Sequence, residues 1–280
     1  MPHQLTCRIS NSTWSAIQQE VKRTGDSISH VVERAVTSAM GLEHHSIFQV
    51  STTGALVQGV YQGCTRVGDL KTHGDFGLGT YEGLDGELLM LEGHCFRTTA
   101  EGVTGEVNDD RLVPFAVITR FEADRKERLS DIESLTSLER KMDAFRSSEN
   151  IFTGIQLDGV FDKLDLRAAC KAAAGEDLVA ATSHQSEYRL ENVEGTLVGF
   201  WTPAYARTLN VSGYHLHFIS ADRKQGGHLL NLNTRELSAA FHFETDFHMA
   251  IPETQSFLEA DLRNDPSQAL NTAEKARKQD

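Results

Sequence analysis

His215, Leu216 and His217, followed by His228 eleven residues after the second histidine, are the residues whose types and spacing point most directly to chemistry. If Gly213 to Ile219 is a strand, side chains alternate between faces, so both imidazoles share one face while Tyr214, Leu216 and Phe218 take the other. The polar run Ser220 to Gly227 ends in Gly-Gly and predicts a hairpin turn. A returning strand that opens with His228 then brings a third imidazole beside the first two. Three neutral nitrogens leave a fourth position around a zinc-type ion for water or substrate, the layout of a catalytic site rather than a structural one. The same spacing also fits core or surface histidines with no metal. A second group, His242 and Glu244 with His248 nearby, lies in FHFETDFHM. Its spacing implies no third ligand, and it is read as ordinary strand residues rather than as a ligand group.

Glycine-bounded apolar runs from His45 to Phe121 predict short strands that frame this hairpin, among them LGTYEGL, GELLMLEG, HCFRTT and PFAVITRFEA. Asp124 to Arg146 is charged, with Leu129, Ile132, Leu135, Leu138 and Met142 at helical spacing, and predicts a surface helix. Phe152 to Phe161 predicts a strand, Ala168 to Ala174 a short helix, and Phe241 to Ile251 a further strand. The last twenty residues read as a helical tail.

Residues 1–42 have a different character. Leu5, Cys7 and Ile9 alternate with Gln4, Thr6 and Arg8 as in a strand. Asn11, Ser12 or Thr13 caps a helix that carries Trp14, Ile17 and Val21 on one stripe. Ser27 or Ser29 caps a second, which ends at Gly41. A strand and two helices of this length resemble a ribbon-helix-helix module, in which the strands of two chains pair. Four Lys/Arg against three Asp/Glu before Gly41 provide little charge for phosphate contacts. The extension is therefore read as joining subunits into a homo-oligomer rather than binding nucleic acid.

The whole chain has 280 residues, 39% hydrophobic and 24% charged, a composition typical of globular proteins. A net charge of −13 argues against broad binding to nucleic acid or anionic membranes. Twelve histidines and four scattered cysteines favour imidazole ligation over thiolate ligation. With no secretory or membrane-spanning run, the expectation is a soluble cytoplasmic protein.

The chain from residue 43 resembles the α-acetolactate decarboxylases. The resemblance rests on QVSTTGALVQGVY, HGDFGLGTYEGLDGEL, VPFAVITRF, LDGVF, GTLVGFWTP, GYHLHFISADRKQGGHLL and the ADL at Asp261. It implies an α/β (α+β) fold of mixed and antiparallel sheets with peripheral helices over 43–280, after the strand-helix-helix extension. It also implies a zinc ion on His215, His217 and His228, and conversion of 2-acetolactate to acetoin and carbon dioxide. Glu87 and Glu274 are the carboxylates implied for proton delivery. Members of the family carry an arginine on the strand before DGxF, and the matching position here is Gln156. That departure implies either a substitute cation (Arg97, Arg207 or Arg223) or another metal-assisted enolate reaction on a different substrate. A ligand-responsive DNA-binding regulator is the reading from a different class.

Overall fold

The structure is a computed structural model that describes residues 6–40, 45–183 and 185–274. The chain divides into two units, Met1–His44 and His45–Asp280. In the first, the Ser10 hydroxyl accepts from the Thr13 amide and starts α1 (Asn11–Thr24), one residue ahead of the expected caps. Gly25 ends α1 in the left-handed conformation. Ser27 caps α2 (Ile28–Ala39) through the His30 amide. Arg34 pairs with Glu20 and Asp26 at 3.2 and 3.4 Å and so ties α2 to α1 and to the link between them. Of the expected N-terminal strand, Gln4 and Leu5 lie outside the described residues, and Thr6 to Ser10 form no strand. Gly41, the expected end of α2, also lies outside them.

In the second unit the described strands are β1 (Ser46–Val50), β2 (Thr65–Arg66), β3 (Phe76–Thr80), β4 (Glu87–Leu91), β5 (His94–Thr98), β6 (Thr104–Glu106) and β7 (Leu112–Val113). They continue as β8 (Phe115–Thr119), β9 (Arg125–Ile132), β10 (Phe152–Ala168), β11 (Ser186–Thr202), β12 (Gly213–Ser220), β13 (Gly226–Glu244) and β14 (Asp246–Ala250). The helices are short: α3 (Thr53–Val57), α4 (Val67–His73), α5 (Leu135–Asp143), α6 (Leu178–Thr182), α7 (Gln255–Glu259) and α8 (Ser267–Glu274).

One sheet has the order β14-β1-β8-β3-β4-β5-β6, with β1 and β14 parallel and the other pairs antiparallel. The other runs β10-β11-β12-β13-β9, and β10 pairs with β13 as well as β11, so the sheet curls and closes on itself. Leu157, Leu197, Leu216, Phe218 and Phe241 fill the interior of this closed sheet. Leu78, Leu89 and Val117 of the first sheet share a second core with Val198, Phe200 and Ile219 of the closed one. A third core packs α4 onto the far face of the first sheet through Val67, Leu70, Leu88 and Ile118.

Two sequence expectations fail in this unit. Arg125–Ile132 is strand β9 rather than the first half of a helix, because Leu129 and Ile132 cover the closed sheet and β13 supplies a long edge for pairing. The helix that remains, α5, begins at Leu135. The helix expected at Ala168 to Ala174 is also absent: β10 runs through Phe161 to Ala168, and the residues after it form no helix.

Strands β11 and β12 approach closely at Gly199, where an added Cβ would lie 2.0 Å from the His215 carbonyl oxygen. Gly199→Ala should therefore push β12 off its ladder and destabilise the protein by about 3 kcal/mol. The midpoint of urea unfolding, at unchanged slope, checks this.

Candidate active site

Alternation along two facing strands builds the site. On β12, Leu216 and Phe218 turn into the closed sheet, so His215 and His217 turn toward the layer between the sheets. On β4, Leu88 and Met90 pack on the far side, so Glu87 shares the inner face with Leu89. Gly86 permits this entry to β4: its φ is +95°, and a Cβ there would lie 2.3 Å from the Thr98 carbonyl oxygen. His228 pairs directly with His217 across the hairpin and with Arg167 of β10 on its other side.

The three imidazoles are buried with ring centroids 5.0–5.4 Å apart, and one nitrogen from each lies within 4.8 Å of the others. The His217 Nδ1 lies 2.9 Å from the Leu88 carbonyl oxygen, which can only accept; Nδ1 therefore carries the hydrogen and Nε2 the lone pair. Nε2 of His217 and Nδ1 of His215 meet no hydrogen-bond partner among the described residues. Burial pushes His217 down to about 4 and His215 and His228 well below their ordinary value. All three are thus neutral near pH 7, the form that ligates metal.

Two carboxyl groups and one guanidinium complete the cluster. Glu87 Oε1 accepts from the Ala169 amide at 3.0 Å, and Oε2 lies 3.6 Å from His217 Nε2. Glu274, at the end of α8, places Oε2 at 3.2 Å from His228 Nε2 and 2.8 Å from Arg167 Nη2. Burial raises both carboxyls above the usual range, with Arg167 opposing the shift in each case. The Arg167 side chain is 5% exposed, and its Nε and Nη1 meet no acceptor among the described residues. These groups line a narrow cavity with Leu84, Phe115 and Leu178. A wider hollow of about 500 Å³ shares Val211, His228, Leu270 and Glu274 with it, so α8 stands between the two.

The structure thus gathers His215, His217, His228, Glu87 and Glu274. It does not bring Gln156 to them. Val198 stands between Gln156 and His217 on the ladder, the Gln156 amide donates to Asp158 at 2.9 Å, and its side chain lines a separate hollow with Phe121 and Lys126. The cation among the imidazoles is Arg167, which the sequence reading missed by ending the strand at Phe161. The signal was present: Leu164, Leu166 and Ala168 alternate with Asp165 and Arg167, continuing the strand period. The three substitutes considered pair elsewhere, Arg97 with Asp85, Arg207 with Asp265 and Arg223 with Glu92. His242 and Glu244 meet one another in a second cluster with His45 and Asp124, whereas His248 lies on β14 beside Phe48.

Residues 47–264 match the family model of alpha-acetolactate decarboxylase. The chain is 42% identical to the alpha-acetolactate decarboxylase of Methanosarcina mazei over 230 residues, 82% of this chain and 80% of that protein. It is 36% identical to that of Lactococcus lactis subsp. cremoris, over 77% of this chain and 92% of the relative. The crystal structure of alpha-acetolactate decarboxylase from Bacillus subtilis superposes with a TM-score of 0.80 at 33% identity, over 82% of this chain and all of that one.

Proposed function

The chain belongs to the alpha-acetolactate decarboxylase family and is a carboxy-lyase; from that premise we propose how its own residues turn 2-acetolactate into acetoin and carbon dioxide. In this reaction the bond between C2 and the carboxylate carbon breaks. Its electron pair spreads onto the neighbouring keto group as an enediolate, and one proton returns to C2. The observation that carries the reading is Arg167, a buried guanidinium whose Nε and Nη1 meet no acceptor among the described residues, in a cavity that also holds two carboxyls and three neutral imidazoles.

Arg167 Nε and Nη1 hold the charged oxygens of the substrate in a water-poor setting, where a fixed positive charge is worth far more than in solvent. Its Nη2 keeps Glu274 in place at the same time. Glu87 and Glu274 have carboxyls raised by burial, as a group that must hold a proton near neutral pH requires. On Glu87 the Ala169 amide engages Oε1, so Oε2 is the atom on which the proton rests. His215, His217 and His228 suit a zinc-type ion, which would supply Lewis-acid stabilisation of the adjacent hydroxyl and keto oxygens; His215 Nδ1 and His217 Nε2 are buried and meet no hydrogen-bond partner among the described residues. The reading of a different substrate rested on Gln156, and Arg167 removes that motive.

Residues 1–42 are assigned to subunit assembly. In support, Trp14, Ile28, Val36 and Met40 of the described helices are exposed. A cytoplasmic location accords with four free cysteines.

Loss of one imidazole should cost the metal: His215→Ala is expected to hold one equivalent of zinc less than the unmodified protein, counted by elemental analysis after dialysis. Equal zinc content in the two proteins would remove the assignment.

Arg167→Lys retains the charge but loses the planar fork, and kcat/KM for acetolactate at matched zinc content should fall by about a hundredfold, ~2.7 kcal/mol. Gln156→Arg should change it less than about twofold, an interval set by its place outside the cavity. A tenfold gain from that second variant would restore Gln156 to the site.

Removal of residues 1–42 should lower the number of chains per particle measured by light scattering and leave the zinc content per chain intact. An unchanged number of chains would refute the assembly role, and tight sequence-specific DNA binding by the removed segment would replace it.

A further inference from the structure

A second imidazole–carboxylate cluster lies where the start of β1, the link from β8 to β9 and the far end of β13 meet. His242 is fully buried, Glu244 is 2% exposed, and the His45 side chain is 11% exposed. Asp124, at 29%, is the side open to water. His242 Nδ1 lies 3.2 Å from Asp124 Oδ2, and His45 Nε2 lies 3.8 Å from Asp124 Oδ1. One donor atom from each of His45, Asp124 and His242 falls within 4.8 Å of the others. The centroids of the two rings lie 4.8 Å apart with 21° between their planes.

The atoms behind these donors are arranged as around a metal. His45 Nδ1 lies 2.7 Å from the Phe243 carbonyl oxygen, so it donates there and Nε2 is directed at Asp124. On His242 the nitrogen away from Asp124 lies 3.6 Å from Glu244 Oε1. A carboxylate or carbonyl behind each ligating imidazole, fixing its tautomer and raising its basicity, is the common outer partner of a metal-bound histidine. Neither Glu244 oxygen receives a hydrogen bond of good geometry, and burial pushes its carboxyl up to about 7, with His242 and the Thr119 hydroxyl opposing the shift. The backbone also bends to make the cluster: His45 adopts φ +54°, and its carbonyl accepts from the Thr245 and Asp246 amides. A left-handed non-glycine residue persists where its surroundings hold it.

We propose that His45, Asp124 and His242 form a second divalent-cation site, with Glu244 and the Phe243 carbonyl as the groups that orient its two imidazoles. Two nitrogens and a carboxylate suit zinc or another late first-row ion. Asp124 supplies the charge that faces such an ion, and Glu244 stands behind the His242 ring. None of its donors lines the active-site cavity or the neighbouring hollow at Gln156, so its work is structural: it clasps β1 of one sheet to β13 of the other.

Zinc stoichiometry of the full chain, stripped with a chelator, reloaded with Zn2+ alone and dialysed, tests this directly. The unmodified protein should hold two equivalents, and Asp124→Asn and His215→Ala one each, lost from different sites. Added Zn2+ should raise the melting temperature of His215→Ala by several degrees and leave His215→Ala/Asp124→Asn unmoved. If Asp124→Asn does not fold, His45→Gln takes its place with the same expectation. An unmodified protein that holds one equivalent, all of it retained by Asp124→Asn or His45→Gln, would overturn the proposal and leave a buried imidazolium clamped between Asp124 and Glu244 as the content of the cluster. A His215→Ala protein that keeps both equivalents while Asp124→Asn loses one would support this site and refute the other.

Discussion

A single guanidinium serves two carboxyls in the layer between the sheets, and the position of that group constrains the rest of the site. Arg167 is bonded to Glu274, lowers the cost of charge on Glu87, and depresses protonation of all three imidazoles. Its place depends on one irregularity of the ladder. From Lys163 to Asp165, β10 pairs with Asn233 back to Asn231 of β13, after which Leu166 pairs with Leu229 and Arg167 with His228. Leu230 is thus left without an opposite number. Without that shift Arg167 would stand opposite Leu229, whose side chain fills the closed sheet. A slip of one residue sends side chains to opposite faces, so the bulge is what puts the cation and the third imidazole on one side.

Neither sheet could make the site alone. The imidazoles and Arg167 come from the closed sheet, Glu87 from its neighbour, and Glu274 from α8. The contact that locks the two sheets in register at this point is the His217 Nδ1–H to the Leu88 carbonyl. It satisfies a backbone acceptor on β4 and, in the same stroke, sets which nitrogen of His217 faces Glu87. Burial then does the electrostatic work in two directions. It keeps the imidazoles unprotonated and the carboxyls protonated to higher pH, so both sets are in the form their chemistry needs.

Side chains that act through local period were legible in the sequence. The pair His215 and His217 and the returning His228 follow from strand alternation and a Gly-Gly turn, and the structure places them as that pattern requires. Glu87 and Glu274 came from resemblance, because nothing in their neighbourhoods distinguishes a buried acid from a solvated one. Arg167 was lost for a physical reason: Asp162, Lys163 and Asp165 surround it with charge that reads as a chain end, whereas in the fold those side chains line the outside of a long, curled strand. Arg125–Ile132 misled in the opposite sense. Leu129 and Ile132 stand three apart, as on a helix; in the fold both are buried in the core of the closed sheet, with Asp131 between them at φ +54°, on a strand whose partner is the nineteen-residue β13. Such pairing is long-range and leaves no local trace.

The two ends of β13 show how neighbouring charge sets the use of one residue type. His228 near its start meets Arg167 and two other imidazoles, and with burial these drive it neutral. His242 near its end is buried too, which alone would lower it, but Asp124, Glu244 and the Glu122 carbonyl outweigh burial and raise it. A neutral imidazole beside a cavity leaves its lone pair for an ion that must also accept substrate. An imidazole flanked by carboxylates instead favours holding its proton. The same strand therefore carries one imidazole driven neutral and one drawn toward its charged form, and the difference lies in whether the nearest charge is a guanidinium or a carboxylate.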